Sequence, residues 1–283
     1  MRHEHCSALD AYLNIIGAGR VGRTLGRLWQ DAGVFTLGDV AARSAASARA
    51  AVAFIGAGRA THSLTGLAPA DVYLLSVPDR EIAATARIIA AQPGLPEKAI
   101  AVHCSGALAS QELAALGALG WRVASAHPAL SFADPERAVA QFSGCLCGLE
   151  GDSEARALLG GVFTGIGARC FELAAEHKLL YHAGSVFASN FTTVLLDVAL
   201  RAYRESGLDD ATAMALLEPL VRNAIDNSLR LGPAAALTGP AARGDTELVA
   251  RQAQAVARWD SLAADAYRPL STLATRLAAR RKS

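Results

Sequence analysis

Three glycines at a defined spacing, in the run Gly17-Ala18-Gly19-Arg20-Val21-Gly22, are the residues whose chemistry is plainest. They follow an apolar tetrad, Leu13-Asn14-Ile15-Ile16, and lead into an amphipathic segment from Arg23 to Ala32, so the run reads as the turn between an opening strand and a helix. In that context Gly17 permits the tight turn, Gly19 lets the backbone approach a pyrophosphate, and Gly22 lets the helix lie close on the sheet. Backbone N–H groups around Arg20, Val21 and Gly22 then meet the anion at a helix N-terminus. A second near-match, Gly56-Ala57-Gly58, does not lie between an opening strand and a well-formed helix. The expected ligand is a nicotinamide dinucleotide.

Which dinucleotide depends on the end of the second strand, where an acid would hold a ribose 2′-hydroxyl and a base a 2′-phosphate. Asp39 reads as NAD, and the pair Arg43-Ser44 reads as NADP through a guanidinium and a hydroxyl. If the strand runs from Phe35 to Ala41, Asp39 falls inside it and Arg43 on the loop beyond, which favours NADP over NAD.

Ligands of open α/β sheets lie past the carboxyl ends of the strands. Three segments stand there: Ser76-Val77-Pro78-Asp79, His103-Cys104-Ser105-Gly106 and Ala126-His127-Pro128. Val77 and Pro78 are expected beside the dinucleotide, and Ser105 near the nicotinamide or a substrate oxyanion. His127, at a strand end, is able to exchange a proton near neutrality, whereas His103, partly inside its strand, reads as structural. At about 100° per residue, Lys178, His182, Ser185, Ser189, Thr192 and Thr193 fall along one helix face opposite Leu179, Leu180, Phe187, Phe191, Val194 and Leu195. One lysine, one histidine and small hydroxyl residues suit a semi-enclosed cleft better than an open surface, and Lys178 with His182 are its acid–base candidates.

These residues need a scaffold. Candidate strands are Leu13 to Ile16, Phe35 to Ala41, Val52 to Ile55, Val72 to Val77, Ala99 to His103, Arg122 to Ala126, Cys145 to Leu149 and Arg169 to Leu173, alternating with Ala-rich helical segments. That alternation predicts an α/β fold with a mainly parallel sheet, a Rossmann domain over residues 10–173. Past Leu173 the strand signals stop, and residues 174–283 read as an all-helical domain for substrate binding and dimerisation.

Bulk properties narrow the function classes. The 283-residue chain carries a formal net charge of +1, which provides no footprint for nucleic acid or an anionic membrane surface. The uncharged stretch from Ala183 to Leu196 is short and contains Ser, Asn and Thr, so no membrane span is expected, and no secretory signal precedes Asp10. A cytoplasmic protein is expected, its five scattered cysteines reduced. His3, His5 and Cys6 lack the fixed geometry of a metal site, and no metal is expected.

Taken together, Gly17 to Gly22, Ser76-Val77-Pro78-Asp79, His103 to Ala107, His127-Pro128 with Ser131-Phe132, Lys178 to Asn190 and Leu237-Thr238-Gly239-Pro240 through Asp245 resemble the bacterial family of Rossmann-like, DUF2520-containing proteins, named as NADP oxidoreductases. The resemblance runs nearly end to end. It implies an architecture similar to the 6-phosphogluconate dehydrogenase, ketopantoate reductase and prephenate dehydrogenase group, whose C-terminal helical domain caps the cofactor cleft and commonly dimerises. Lys178 matches the lysine of that helix, His182 stands where the group has Asn, and His127-Pro128 is similar to the His-Pro of prephenate dehydrogenases.

The activity so implied is NADP-dependent hydride transfer with a small polar, carboxylated metabolite bound between the domains of a homodimer. Lys178 and His127 would share proton transfer and polarisation, with His182 assisting and Ser105 in contact. Ser189, Asn190 and Arg243 would bind the substrate. The competing readings are an NADP-binding sensor without turnover and a deazaflavin F420-dependent NADP oxidoreductase.

Overall fold

The computed structural model describes residues 11–280. His3, His5 and Cys6 lie outside them, and among the described residues no cluster of His, Cys, Asp and Glu is arranged to hold a metal ion. The chain divides into two compact units, 1–187 and 188–283.

The first unit is built on one eight-stranded sheet: β1 Tyr12–Ile16, β2 Thr36–Ala41, β3 Arg59–Thr61, β4 Val72–Leu75, β5 Ile100–His103, β6 Arg122–Pro128, β7 Leu146–Gly151 and β8 Arg169–Glu172. The spatial order is β3-β2-β1-β4-β5-β6-β7-β8, and every pair is parallel except β6 with β7. The helices of this unit are α1 Arg20–Asp31, α2 Ala45–Ile55, α3 Ile82–Ala90, α4 Ala114–Gly117, α5 Pro135–Gln141, α6 Ser153–Gly165 and α7 Lys178–Val186. β4 explains the two-sided core. Val72 and Leu74 belong to one buried cluster with Leu25, Trp29 and Phe163, whereas Tyr73 and Leu75 belong to another with Ile82, Ala86 and Trp121, as the two-residue period of a strand requires.

One sequence expectation is corrected here. Val52 to Ile55 is the last turn of α2, not a strand. Gly56 closes that helix in the left-handed region (φ 90°), and the chain passes through Ala57 and Gly58 into the short edge strand β3. Four consecutive apolar residues fit a helix end as readily as a strand, and Arg59-Ala60-Thr61 has no apolar run to announce it.

The compact first unit extends past residue 173, where the strands were expected to hand over to the helical domain, because α7 is anchored on the sheet by Lys178, Tyr181 and His182. A π-helical turn, Phe187–Phe191, follows α7. Such a turn adds a residue to the helical repeat, so the expected polar stripe loses its phase: Lys178 is buried and His182 half-buried, while Ser189 and Thr193 are exposed. The apolar arc opposite is exposed as well, Leu179 at 71% and Leu180 at 79%. By length and composition alone the helical run Ala175–Glu205 is apolar enough to cross a membrane, although its first turns hold Lys178, Tyr181 and His182 against protein.

The second unit is helical: α8 Thr192–Glu205, α9 Asp210–Leu231, α10 Pro233–Ala236, α11 Pro240–Arg243, α12 Thr246–Trp259 and α13 Ser261–Ala279. Arg201 joins α8 to the α12–α13 corner, pairing with Asp260 at 2.7 Å and lying over the Trp259 ring at 5.4 Å.

Candidate active site

The turn between β1 and α1 is shaped by the end of β4. Gly17 has φ 92°, and a Cβ there would lie 2.7 Å from the backbone of Ser76 and Val77. Ser76 Oγ donates to the Gly17 carbonyl at 2.6 Å, and a Cβ on Gly22 would sit 2.5 Å from that hydroxyl. Gly19 differs, since among the described residues nothing beyond its chain neighbours lies within 4 Å of a Cβ built on it. The α1 N-terminus has no side-chain cap and no acid in its first turn. Unsatisfied N–H groups and the positive end of the helix dipole therefore face an open space with Arg20 beside them.

That space is a cavity of about 560 Å³ lined by residues including Gly17, Gly19, Arg20, Val21, Arg43, Val77 and Pro78. A smaller one of about 200 Å³ shares Gly17, Arg43, Val77 and Glu81 with it and adds His62 and Leu64. The residues fit a dinucleotide: the open approach at Gly19 and the uncapped helix end are the cradle a pyrophosphate needs.

Asp39 is 1% exposed inside β2 and held by Arg59, Nε–Oδ1 at 2.6 Å and Nη2–Oδ2 at 2.8 Å. It also accepts from the Ala68 N–H at 2.7 Å, and Arg59 holds its carboxyl below the usual range against the opposing effect of burial. Its oxygens are thus occupied by the protein. The reason reaches back to Asn14, which fills a register shift between β1 and β2 and accepts from the Asp39 N–H at 2.7 Å, locking that residue into the strand. Arg43 lies past the strand and lines both cavities. Ser44 caps α2 through the Ser47 N–H, and it is Ser47 that lines the larger cavity.

A second group of residues gathers at the ends of β5 and β6. Lys178, 1% exposed, donates to the Ser105 carbonyl at 3.1 Å and to Ser125 Oγ at 2.7 Å. Burial lowers its pKa, opposed by Glu150 and Asp79. The ammonium thus pins the Ser105-Gly106 turn. Ser105 Oγ donates to Asp79 at 2.8 Å and accepts from the Ala107 and Leu108 N–H groups, so it ties the β4 loop to the β5 loop. His103 is fully buried, accepting from the Ser105 N–H and bonding the Ala109 carbonyl, which is the structural role expected of it.

Gly106 separates two imidazoles: a Cβ there would lie 2.5 Å from His182 Nδ1 and 2.8 Å from His127 Nε2. The His127 and His182 rings stand edge to face with centroids 5.7 Å apart. His182 Nδ1 is buried without a hydrogen-bond partner among the described residues. His127 Nδ1 lies 2.9 Å from the Tyr181 hydroxyl. The expectation that His127 titrates near neutrality is corrected: burial, then the neighbouring His182 and Lys178, push its imidazole down to about 4. Lys178, His182, His127 and Ser105 are therefore brought together, whereas Ser189, Asn190 and Arg243 belong to the second unit. Asp79 and Tyr181 were not picked from the sequence, although Tyr181 is one helical turn from Lys178 and Asp79 closes a quoted loop.

Comparison with known proteins divides the chain earlier, between residues 128 and 145, inside the first compact unit. Residues 6–128 match a Rossmann-like domain, and residues 145–274 match DUF2520, a domain of unknown function. The fold is similar to protein TM1727 of Thermotoga maritima (28% identity, TM-score 0.74, covering 96% of this chain and 100% of that one). It is also similar to a Bacteroides fragilis protein named "putative NADP oxidoreductase BF3122" (22% identity, TM-score 0.76, 94% and 98% covered). A pyrroline-5-carboxylate reductase of Coxiella burnetii shares the fold more distantly (18% identity, TM-score 0.56, 96% and 98% covered). No curated protein sequence matches.

Proposed function

Because the chain carries a Rossmann-like domain followed by a DUF2520 domain, we propose that it is an NADP-dependent oxidoreductase acting on a small polar, carboxylated metabolite. The observation that carries this reading is the uncapped N-terminus of α1, open at Gly19 and flanked by Arg20 and Arg43. Arg43 would hold the 2′-phosphate, Asp39 being occupied by Arg59. When bound, the nicotinamide supplies or takes the hydride.

The remaining work falls to the chain. A carbonyl that gains a hydride at carbon must gain a proton at oxygen, and charge develops on that oxygen on the way. His127, neutral at pH 7, polarises the oxygen by a hydrogen bond, and Lys178 adds positive field from beneath the Ser105-Gly106 turn. His182, whose Nδ1 makes no hydrogen bond among the described residues, exchanges the proton. The exposed apolar side chains of the helical unit, among them Leu229 at 83% and Leu262 at 77%, support a homodimer.

The test is NADPH oxidation against a panel of 2-keto and imino acids. Turnover with one of them, lost in Lys178→Met, supports the reading. NADPH binding without turnover on any of them favours a sensor.

A further inference from the structure

The seat of Tyr181 is built across three strands. Antiparallel register sets His127 of β6 beside Gly148 of β7, and parallel register sets Gly148 beside Phe171 of β8, so the three form one row. The missing side chain at Gly148 leaves the space: a Cβ there would lie 3.1 Å from Phe171 Cζ and 3.7 Å from the Tyr181 hydroxyl. The Tyr181 ring meets both neighbours edge on, with centroids 5.5 Å from His127 at 86° and 5.9 Å from Phe171 at 63°. Its hydroxyl reaches His127 Nδ1 at 2.9 Å.

The direction of that hydrogen bond follows from satisfaction. A phenol has one hydrogen, and His127 Nδ1 is the hydrogen-bond partner of the Tyr181 oxygen among the described residues. Were Nδ1 to carry the proton and donate, the phenolic hydrogen would have no acceptor among the described residues, whereas a bare Nδ1 accepts it and satisfies both groups. Burial raises the Tyr181 pKa, which keeps that hydrogen in place.

We infer that Tyr181 is a positioning residue that donates to His127 Nδ1 and fixes the imidazole as its Nε2–H tautomer, so that His127 offers substrate a hydrogen-bond donor. This rests on the proposed function and narrows its substrate class. A neutral Nε2–H matches an atom with a lone pair, the oxygen of a 2-keto or 2-hydroxy acid. A protonated cyclic imine presents an N–H instead, donor against donor, and is disfavoured.

The test is ¹⁵N NMR of histidine-labelled protein, with the His127 signals assigned by His127→Gln. The wild type is expected to show one tautomer near neutral pH, proton on Nε2 and bare nitrogen at Nδ1, and Tyr181→Phe is expected to lose that bias. A wild-type proton on Nδ1 overturns the inference, and so does a Tyr181→Phe protein that keeps the same single tautomer. The wild-type spectrum decides even if the variant fails to fold. Because it needs neither cofactor nor turnover, a failure of the oxidoreductase reading leaves this result standing, and the reverse also holds. With NADP present, a 2-keto or 2-hydroxy acid should bind the wild type more tightly than its cyclic imino counterpart, and the opposite order contradicts the assigned substrate class.

Discussion

Burial disfavours the charged forms of both His127 and Lys178, with different consequences. For His127 the pKa falls from 6.5 unfolded to about 4 folded, so between those values the unfolded chain binds the extra proton. Stability should therefore be constant with respect to this group above about pH 6.5 and decline as pH falls toward about 4, with buried His103 acting in the same direction. Urea denaturation across that window checks this, and His127→Gln should flatten the decline. For Lys178 the ammonium is bonded to Ser105 O and Ser125 Oγ. Lys178→Met should lower turnover by about 10²-fold or more and stability by about 1–3 kcal/mol, since two buried groups lose a donor. Unchanged turnover in a folded variant would remove Lys178 from the site. Lys178 was legible because a lone lysine among hydroxyl residues is unusual on a helix face, and Arg43 because strand spacing places it past Ala41. Tyr181 was not, since its partner lies on a strand more than fifty residues earlier and only the β6-β7-β8 register brings Gly148 between them.

Among the elements, the β1 turn and α1 behave as their sequence pattern implies, and the reason is local: glycine spacing, an apolar strand and an amphipathic helix agree with one another. Gly17→Ala tests this element. Its φ of 92° and the 2.7 Å approach to the Ser76–Val77 backbone leave no room for a Cβ. The variant should lose NADPH binding and melt at a lower temperature. Gly19→Ala, with nothing beyond its chain neighbours within 4 Å among the described residues, should fold with little change yet bind dinucleotide more weakly. Equal binding by Gly19→Ala and wild type would mean that the pyrophosphate does not pass there. The elements that escaped reading did so where local signals are ambiguous or absent. The end of α2 is as apolar as a strand, β3 is three residues long, and a π turn interrupts the helical phase after Val186.

At the scale of the molecule, helices beyond β8 expose Leu229, Leu262, Leu220 and Leu273, side chains that a second copy would cover. An obligate interface of roughly 2,000 Å² or more is expected, and light scattering at micromolar concentration should report a dimer; a monomer there contradicts it. The central claim, a dinucleotide site that reads the 2′-phosphate through Arg43, is tested most directly by calorimetric titration of the wild type and Arg43→Ala with NADPH and NADH. The account predicts tighter binding of NADPH by the wild type, with that preference lost in Arg43→Ala while NADH affinity changes little. Equal affinities in the wild type, or an NADH preference abolished by Asp39→Ala, would contradict it.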